Sequence, residues 1–95
     1  MLSKMPIDLE NIKAENQDKE ILRAGLIAEY DAINLYEQMA SLAKSDHIKK
    51  VMLDVASEEK EHVGEFQTLL LRLDAEQVEE MKGGKEEVEE LLRSD

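Results

Sequence analysis

Apolar residues recur along two long stretches of the chain at alternating steps of four and three, which is the spacing of one face of a helix. In residues 18–44 this row comprises Leu22, Leu26, Glu29, Ile33, Tyr36, Ala40 and Ala43. In residues 46–73 it comprises Ile48, Met52, Val55, Glu59, His62, Phe66, Leu69 and Leu73. Each stretch predicts a helix of roughly 40 Å. Because the join between them is very short, the two helices are expected to form an antiparallel hairpin.

The remainder of the chain is predicted to flank this hairpin, which occupies residues 18–73. Residues 1–17 are polar and contain Pro6, so we expect a mobile arm with up to one turn of helix. The candidates for capping the helix starts share short polar side chains: Asn16 or Asp18 for the first helix and Ser45 or Asp46 for the second.

Residues 74–95 are predicted to form a short third helix and an acidic tail. Asp74 and Gln77 have the spacing of a capping box, which opens a helix. We expect Gly83 and Gly84 to end that helix, since glycine commonly follows the last helical turn. The fold class predicted from all three segments is all-α.

Composition narrows the possible functions. The chain has 95 residues, enough for one small domain, and a net charge of −11 with no basic face for nucleic acid. It has no Cys, which excludes disulfides and thiolate-held metals. No apolar run is long enough for a bilayer and residues 1–11 lack the blocks of a signal peptide, so we expect no membrane partner and a cytoplasmic location.

Three ionisable residues interrupt the apolar rows near the middle of both helices. They are Glu29 on the first helix and Glu59 with His62 on the second. Burying an ionised carboxylate costs several kcal/mol unless a positive charge compensates it. Neither row contains a Lys or Arg. A divalent metal ion would supply the missing charge.

The spacing of these residues supports one shared site. Glu59 and His62 are three residues apart, so both side chains leave the same face of a helix. Glu29 lies 15 residues before Lys44, and Glu59 and His62 lie 13 and 16 residues after Asp46, so an antiparallel hairpin places them at one height. A surface motif, or a His satisfied by a neighbouring acid, is the alternative interpretation.

Carboxylates with one imidazole suit iron(II), manganese(II) or zinc(II). Di-iron sites in four-helix bundles use one Glu from each of two helices and Glu-x-x-His from each of the other two. This chain holds half of that set. Two copies related by a two-fold axis would complete it, and would also cover Leu22, Ile33, Val55, Phe66 and Leu69, which we expect to face water in one hairpin.

Two further residues have open interpretations. Tyr36 lies two turns after Glu29 and is either a partner of the ligands or a core aromatic residue. Asp31 lies on a neighbouring face, where it either marks a path for metal ions toward the site or is a solvated acid. The solvated acid is the interpretation we favour.

The segment from Leu26 to Glu37, followed by Glu58-Glu59-Lys60-Glu61-His62, resembles the encapsulated ferritins, the ferritin-like cargo proteins of encapsulin nanocompartments. The sequence looks closest to the archaeal type that is fused to the encapsulin shell protein. Residues 86–95 contain no convincing targeting peptide, and fusion to the shell or targeting by a tail both stay open. It also resembles, more distantly, rubrerythrin-type domains, which join both halves in one chain.

The resemblance implies a ferroxidase, which oxidises iron(II) with oxygen at a di-iron centre between two protomers. It implies that Glu29, Glu59 and His62 are metal ligands and that Tyr36 lies beside the centre. Asp31 stands where many members have a Glu that holds additional ions. Dimers would assemble into a larger ring, a decamer, inside an encapsulin nanocompartment that stores the iron.

Two rival functions remain from the sequence. A rubrerythrin-like di-iron peroxidase would use the same residues to reduce hydrogen peroxide, although the absence of Cys removes the thiolate-held iron that often supplies its electrons. A non-catalytic adaptor would use a metal ion only to tie two hairpins together.

Overall fold

The computed structural model describes residues 13–93, and in this range the chain forms three α-helices. A 3-10 turn at Ala14–Asn16 leads into α1, Gln17–Leu42, which is followed by α2, Asp46–Leu73, and α3, Ala75–Arg93. The prediction of an all-α fold with a helical hairpin is confirmed. The part of the predicted arm at residues 1–12 lies outside the described residues. None of the helices in the described range is both long and apolar enough to cross a membrane.

The hairpin turns through three residues, 43–45, between α1 and α2. Helix α1 stops at Leu42, two residues earlier than predicted, because Ala43 adopts an extended conformation with φ −67° and ψ 136°. Ser45 caps α2, as one of the two candidates predicted, and its hydroxyl accepts a hydrogen bond of 3.4 Å from the backbone N–H of Ile48. Asn16 directly precedes α1, but its side chain accepts no capping hydrogen bond from the first turn of the helix.

The hairpin core is narrow and contains few large side chains. Its buried apolar residues are Leu26, Ile33 and Ala40 on α1 and Ala56 and Leu70 on α2. The α1 residues recur every seven positions along the predicted row. On α2, however, the buried row is displaced by one residue from the predicted one, which held Val55 and Leu69. The predicted row of α2 therefore lies at the flank of the hairpin, beside the contact with α1.

This displacement decides which apolar residues a single hairpin leaves exposed. Leu69 is 48% exposed, as expected. The expectation was wrong for Ile33, which is 7% exposed, because its position on α1 faces α2 directly. Leu22, Val55 and Phe66 are half-buried. Packing of α1 against α2 thus buries one row of apolar residues. The half-buried residues and Leu69 form a second apolar strip that another protein surface could cover.

The prediction that Gly83 and Gly84 end the third helix was wrong, because both lie inside α3. Glycine ends a helix by adopting positive φ, and no described glycine does so. Each glycine costs about 1 kcal/mol relative to Ala in a helix. The flanking Glu, Lys and Leu residues have high helix propensity, so the helix continues across both glycines. Helix α3 has no buried residue, so it projects from the hairpin as an amphipathic rod.

Asp74 joins all three helices with one carboxylate. Its Oδ1 accepts a hydrogen bond of 3.0 Å from the N–H of Gln77, as the predicted capping box requires. Its Oδ2 accepts a hydrogen bond of 2.9 Å from Arg23 on α1. The hydrogen bond from Gln77, together with the positive charges of Lys19 and Arg23, outweighs burial and lowers the pKa of Asp74 below its ordinary value of 3.8.

Acid should therefore weaken the junction at Asp74. A lowered pKa in the folded state means that the ionised form stabilises the fold above the unfolded value near 3.8, and that this stabilisation is lost as pH falls through the folded-state pKa. We expect Asp74→Asn, which still caps but does not titrate, to lose less thermal stability than the parent between pH 5 and pH 2. Circular dichroism melts would measure this. Asp54→Asn, at an exposed position, is the control, and an equal acid sensitivity of parent and Asp74→Asn would contradict the prediction.

Candidate metal centre

The hairpin brings together Glu29 of α1 with Glu59 and His62 of α2. One ligand atom from each lies within 4.8 Å of the other two. The Nδ1 atom of His62 is 3.4 Å from Oε2 of Glu59 and 3.5 Å from Oε2 of Glu29. The equal height expected from the residue spacing is therefore present in the folded chain. The three residues are a group that could hold a metal ion, and no other group of His and acidic residues in residues 13–93 has this property.

The electrostatics of the group fit a cation. Oε2 of Glu29 is buried and has no hydrogen-bond partner among the described residues. The ion pairs of Glu29 and Glu59 in this range involve only His62, whereas Lys60 pairs with Glu37 at 3.1 Å and points elsewhere. Two carboxylates meeting without a Lys or Arg repel each other, and an unpaired buried acceptor costs free energy. A divalent ion ligated by both carboxylates and the imidazole would remove both costs.

The group opens toward one side of the hairpin. The side chains of Glu29 and Glu59 are 17% and 19% exposed, while that of His62 is 45% exposed. Glu59 and His62 both belong to the flanking row of α2, and His62 is the more exposed of the two. The neighbouring acids Glu58 and Glu61 are fully outside the group and exposed, as expected. The centre is thus held on one side by its own chain and open on the other.

Tyr36 and Asp31 are not part of this group. Tyr36 is half-buried, and within the described chain no hydrogen bond joins its hydroxyl to the three residues. Asp31 lies two residues after Glu29, which on a helix directs the two side chains to opposite faces. Our preference for a solvated Asp31 was wrong, because it is only 9% exposed. Helical periodicity shows which residues share a face but not what covers that face. The metal role of Asp31 stays a prediction.

A close contact beside the centre was not singled out from the sequence. Gly25 lies one turn before Glu29, and Phe66 lies one turn after His62. A Cβ atom placed on Gly25 would be 3.1 Å from both Cδ2 and Cε2 of the Phe66 ring. The ring therefore packs against the backbone of α1. The sequence signal was a glycine on one helix and a phenylalanine on the other at matched heights, each one turn from a candidate ligand.

Similarity to known proteins defines the class. The model of the rubrerythrin family matches residues 20–93. The crystal structure of an encapsulated ferritin domain from Pyrococcus furiosus matches with a TM-score of 0.82 and 55% identity, covering 96% of this chain and 95% of that one. A helical hairpin that carries one Glu opposite a Glu-x-x-His motif is half of a ferritin-like bundle. This chain belongs to the rubrerythrin family of ferritin-like proteins, and within it to the encapsulated ferritins.

Two further relatives extend the comparison. The ferritin-like–encapsulin shell fusion protein of Pyrococcus furiosus is 56% identical over 93 residues, which are 96% of this chain and 27% of the fusion protein. The encapsulin nanocompartment cargo protein EncC of Myxococcus xanthus is 38% identical over 61 residues, 64% of this chain and 47% of the cargo protein. The chain thus spans about a quarter and about half of the lengths of these relatives.

Proposed function

We propose that this chain is a ferroxidase subunit that oxidises iron(II) to iron(III) with oxygen at a di-iron site shared between two copies. The observation that carries the proposal is the convergence of Glu29, Glu59 and His62 within 4.8 Å of one another, with a buried carboxylate oxygen of Glu29 that no donor within residues 13–93 satisfies. Membership of a ferritin-like family supports iron as the metal.

The geometry of the hairpin supports a second copy as the missing half. One chain offers three ligands, and a carboxylate-bridged pair of ions uses six. His62 is the most exposed of the three, and it lies on the flanking row of α2. That row also leaves Leu69 and Leu73 about half exposed, each at 48%. Packing two such faces together would bury the apolar strip and bring both Glu-x-x-His motifs to a two-fold axis.

The ligand set explains how the protein would favour oxidation. Two iron(II) ions held by these residues would give up one electron each, so that one oxygen molecule could take up two electrons with two protons from solvent and leave as hydrogen peroxide. The four carboxylates of Glu29 and Glu59 in a dimer stabilise a trivalent ion more than a divalent one, because Coulomb energy scales with charge. They thereby make iron(II) easier to oxidise. The imidazole of His62 binds without adding negative charge, which prevents the site from becoming so anionic that product cannot leave.

The names of two relatives support a place in an encapsulin compartment. One is a fusion with the encapsulin shell and the other is an encapsulin cargo protein. We propose the same association here, with oxidised iron stored inside the shell and pairs of this chain assembled into a larger ring, a decamer. The catalytic copies would then release iron(III) into a closed volume and need no storage cavity of their own.

Stopped-flow absorbance provides the test of the activity. Iron(II) mixed with the protein in air should be oxidised well above the rate in protein-free buffer, with a fast phase that corresponds to two iron ions for each pair of chains. Oxidation at the protein-free rate would contradict a ferroxidase and favour the metal-bridged adaptor. A fast phase that needs hydrogen peroxide in place of oxygen would favour the rubrerythrin-like peroxidase.

A further inference from the structure

Beside the candidate centre, a glycine of α1 lies opposite the one phenylalanine of α2. Gly25 precedes Glu29 by one turn, and Phe66 follows His62 by one turn. Because α1 and α2 are antiparallel, both lie on the same side of the centre. The ring atoms Cδ2 and Cε2 of Phe66 lie 3.1 Å from the position that a Cβ of residue 25 would take.

We propose that Gly25 is a positioning residue for the metal centre. Its missing Cβ lets the Phe66 ring lie against the backbone of α1, and this contact sets the separation at which Glu29 meets Glu59 and His62. The inference rests on the proposed function, since it takes those three residues as metal ligands. Gly25 itself touches no ligand atom and acts through Phe66 and the spacing of the two helices.

The size of the steric effect matches the tolerance of a metal site. A contact of 3.1 Å at an added Cβ requires the neighbour to move by a few tenths of an ångström. Credible metal sites keep their metal–ligand distances within about 0.2 Å of the ideal values. Phe66 is half-buried and lies one turn from His62, so we expect the ring to pass part of this displacement to α2 and to move His62 and Glu59 relative to Glu29. A single methyl group at residue 25 is therefore large enough to disturb the site.

Helix propensity favours alanine at residue 25, whereas the contact with Phe66 disfavours it. The effect on stability can therefore be separated from the effect on metal binding. Replacing glycine by alanine within a helix ordinarily raises stability, because alanine loses less backbone entropy on folding. Gly64 on α2 provides a matched control, as nothing lies within 4 Å of the position of its added Cβ. Gly64→Ala should raise the melting temperature and leave metal binding unchanged. Gly25→Ala should weaken metal binding whatever happens to the melting temperature.

Cobalt(II) is a suitable probe, because its visible absorption reports the geometry of its ligands and it is not oxidised under these conditions. We expect Gly25→Ala to bind cobalt about tenfold more weakly than the parent, the size of effect seen when groups that orient ligands are altered. Its visible spectrum should change while the helical circular dichroism stays the same. Gly25→Ala/Phe66→Leu, in which the smaller side chain makes room for the new methyl group, should regain most of the affinity.

Cobalt binding by Gly25→Ala with the parent's affinity and spectrum would overturn the inference. So would an equal loss in Gly64→Ala, which has no steric contact, or a folded double variant that binds as weakly as Gly25→Ala. The double variant also keeps the test decisive if Gly25→Ala alone unfolds. Glu59→Ala separates the two hypotheses: if it binds cobalt like the parent, the proposed site itself is wrong and the role of Gly25 falls with it.

Discussion

Glu59→Ala should abolish the accelerated oxidation of iron(II) while the protein keeps its helical content. Glu59 is half-buried beside Glu29 and His62, and in the proposed dimer it would be one of the residues that hold the iron ions. Removing a ligand should lower the rate by about 100-fold or more, since altering only the groups that orient ligands costs 10–100-fold. The helices should remain, because the substitution removes one of two mutually repelling carboxylates and leaves the buried rows of α1 and α2 intact.

Stopped-flow oxidation and circular dichroism on the same samples would measure both parts of this prediction. His62→Ala should behave in the same way. Glu58→Ala is the matched control, because it removes the same charge from the adjacent, exposed position of α2. If Glu59→Ala and Glu58→Ala oxidised iron equally fast, the assignment of the site would be wrong.

The second large effect is assembly driven by metal. In the proposed dimer without metal, four carboxylates of two chains would meet at the two-fold axis and repel, so the dilute apo protein should be mainly monomeric and inactive. Iron(II) or another divalent ion should shift it to dimers or a larger ring, because the ion binds the pair better than the single chain. Each ion at 100 times its dissociation constant stabilises the form that binds it by about 2.7 kcal/mol, which shifts the association equilibrium by about 100-fold for each ion bound.

Native mass spectrometry across a titration with metal would report both the mass and the number of ions. Glu58→Ala should assemble on addition of metal like the parent, whereas the assembly state of Glu59→Ala should not respond to metal at the same concentration. A monomer that carries two iron ions with full activity would rule out the shared site, because one chain supplies only three of the six ligands.

The features that the sequence predicted are those that depend on local spacing. Helical periodicity placed Glu29, Glu59 and His62 on facing helices, and the short join fixed their common height, so the group could be found without a structure. The displaced row on α2 could not be found in this way. Ala56 and Leu70 pack against α1 in place of Val55 and Leu69, and helices of mixed apolar faces offer several rows of similar hydrophobicity. Only packing selects among them.

The errors at α3 and Asp31 have different physical origins. Gly83 and Gly84 lie inside a helix, although glycine often ends one. Whether a helix ends at a glycine depends on the helix propensity of the neighbouring residues as well as on the glycine itself. Asp31 is only 9% exposed, and helical periodicity does not show what covers a given face of a helix. The contact between Gly25 and Phe66 likewise requires the distance between two helices, which spacing along the chain does not give.

The three-residue turn between α1 and α2 has a kinetic consequence. Contacts between residues close along the chain form quickly, and helical proteins dominated by them fold in about microseconds to milliseconds. Two folded chains at about 1 μM, meeting with a typical association rate constant of about 10⁵–10⁷ M⁻¹s⁻¹, need about 0.1–10 s to pair. Each newly made chain would therefore present a finished half-site to iron well before it meets its partner. The supply of working centres would then follow the local concentration of the chain, which confinement in a small compartment raises.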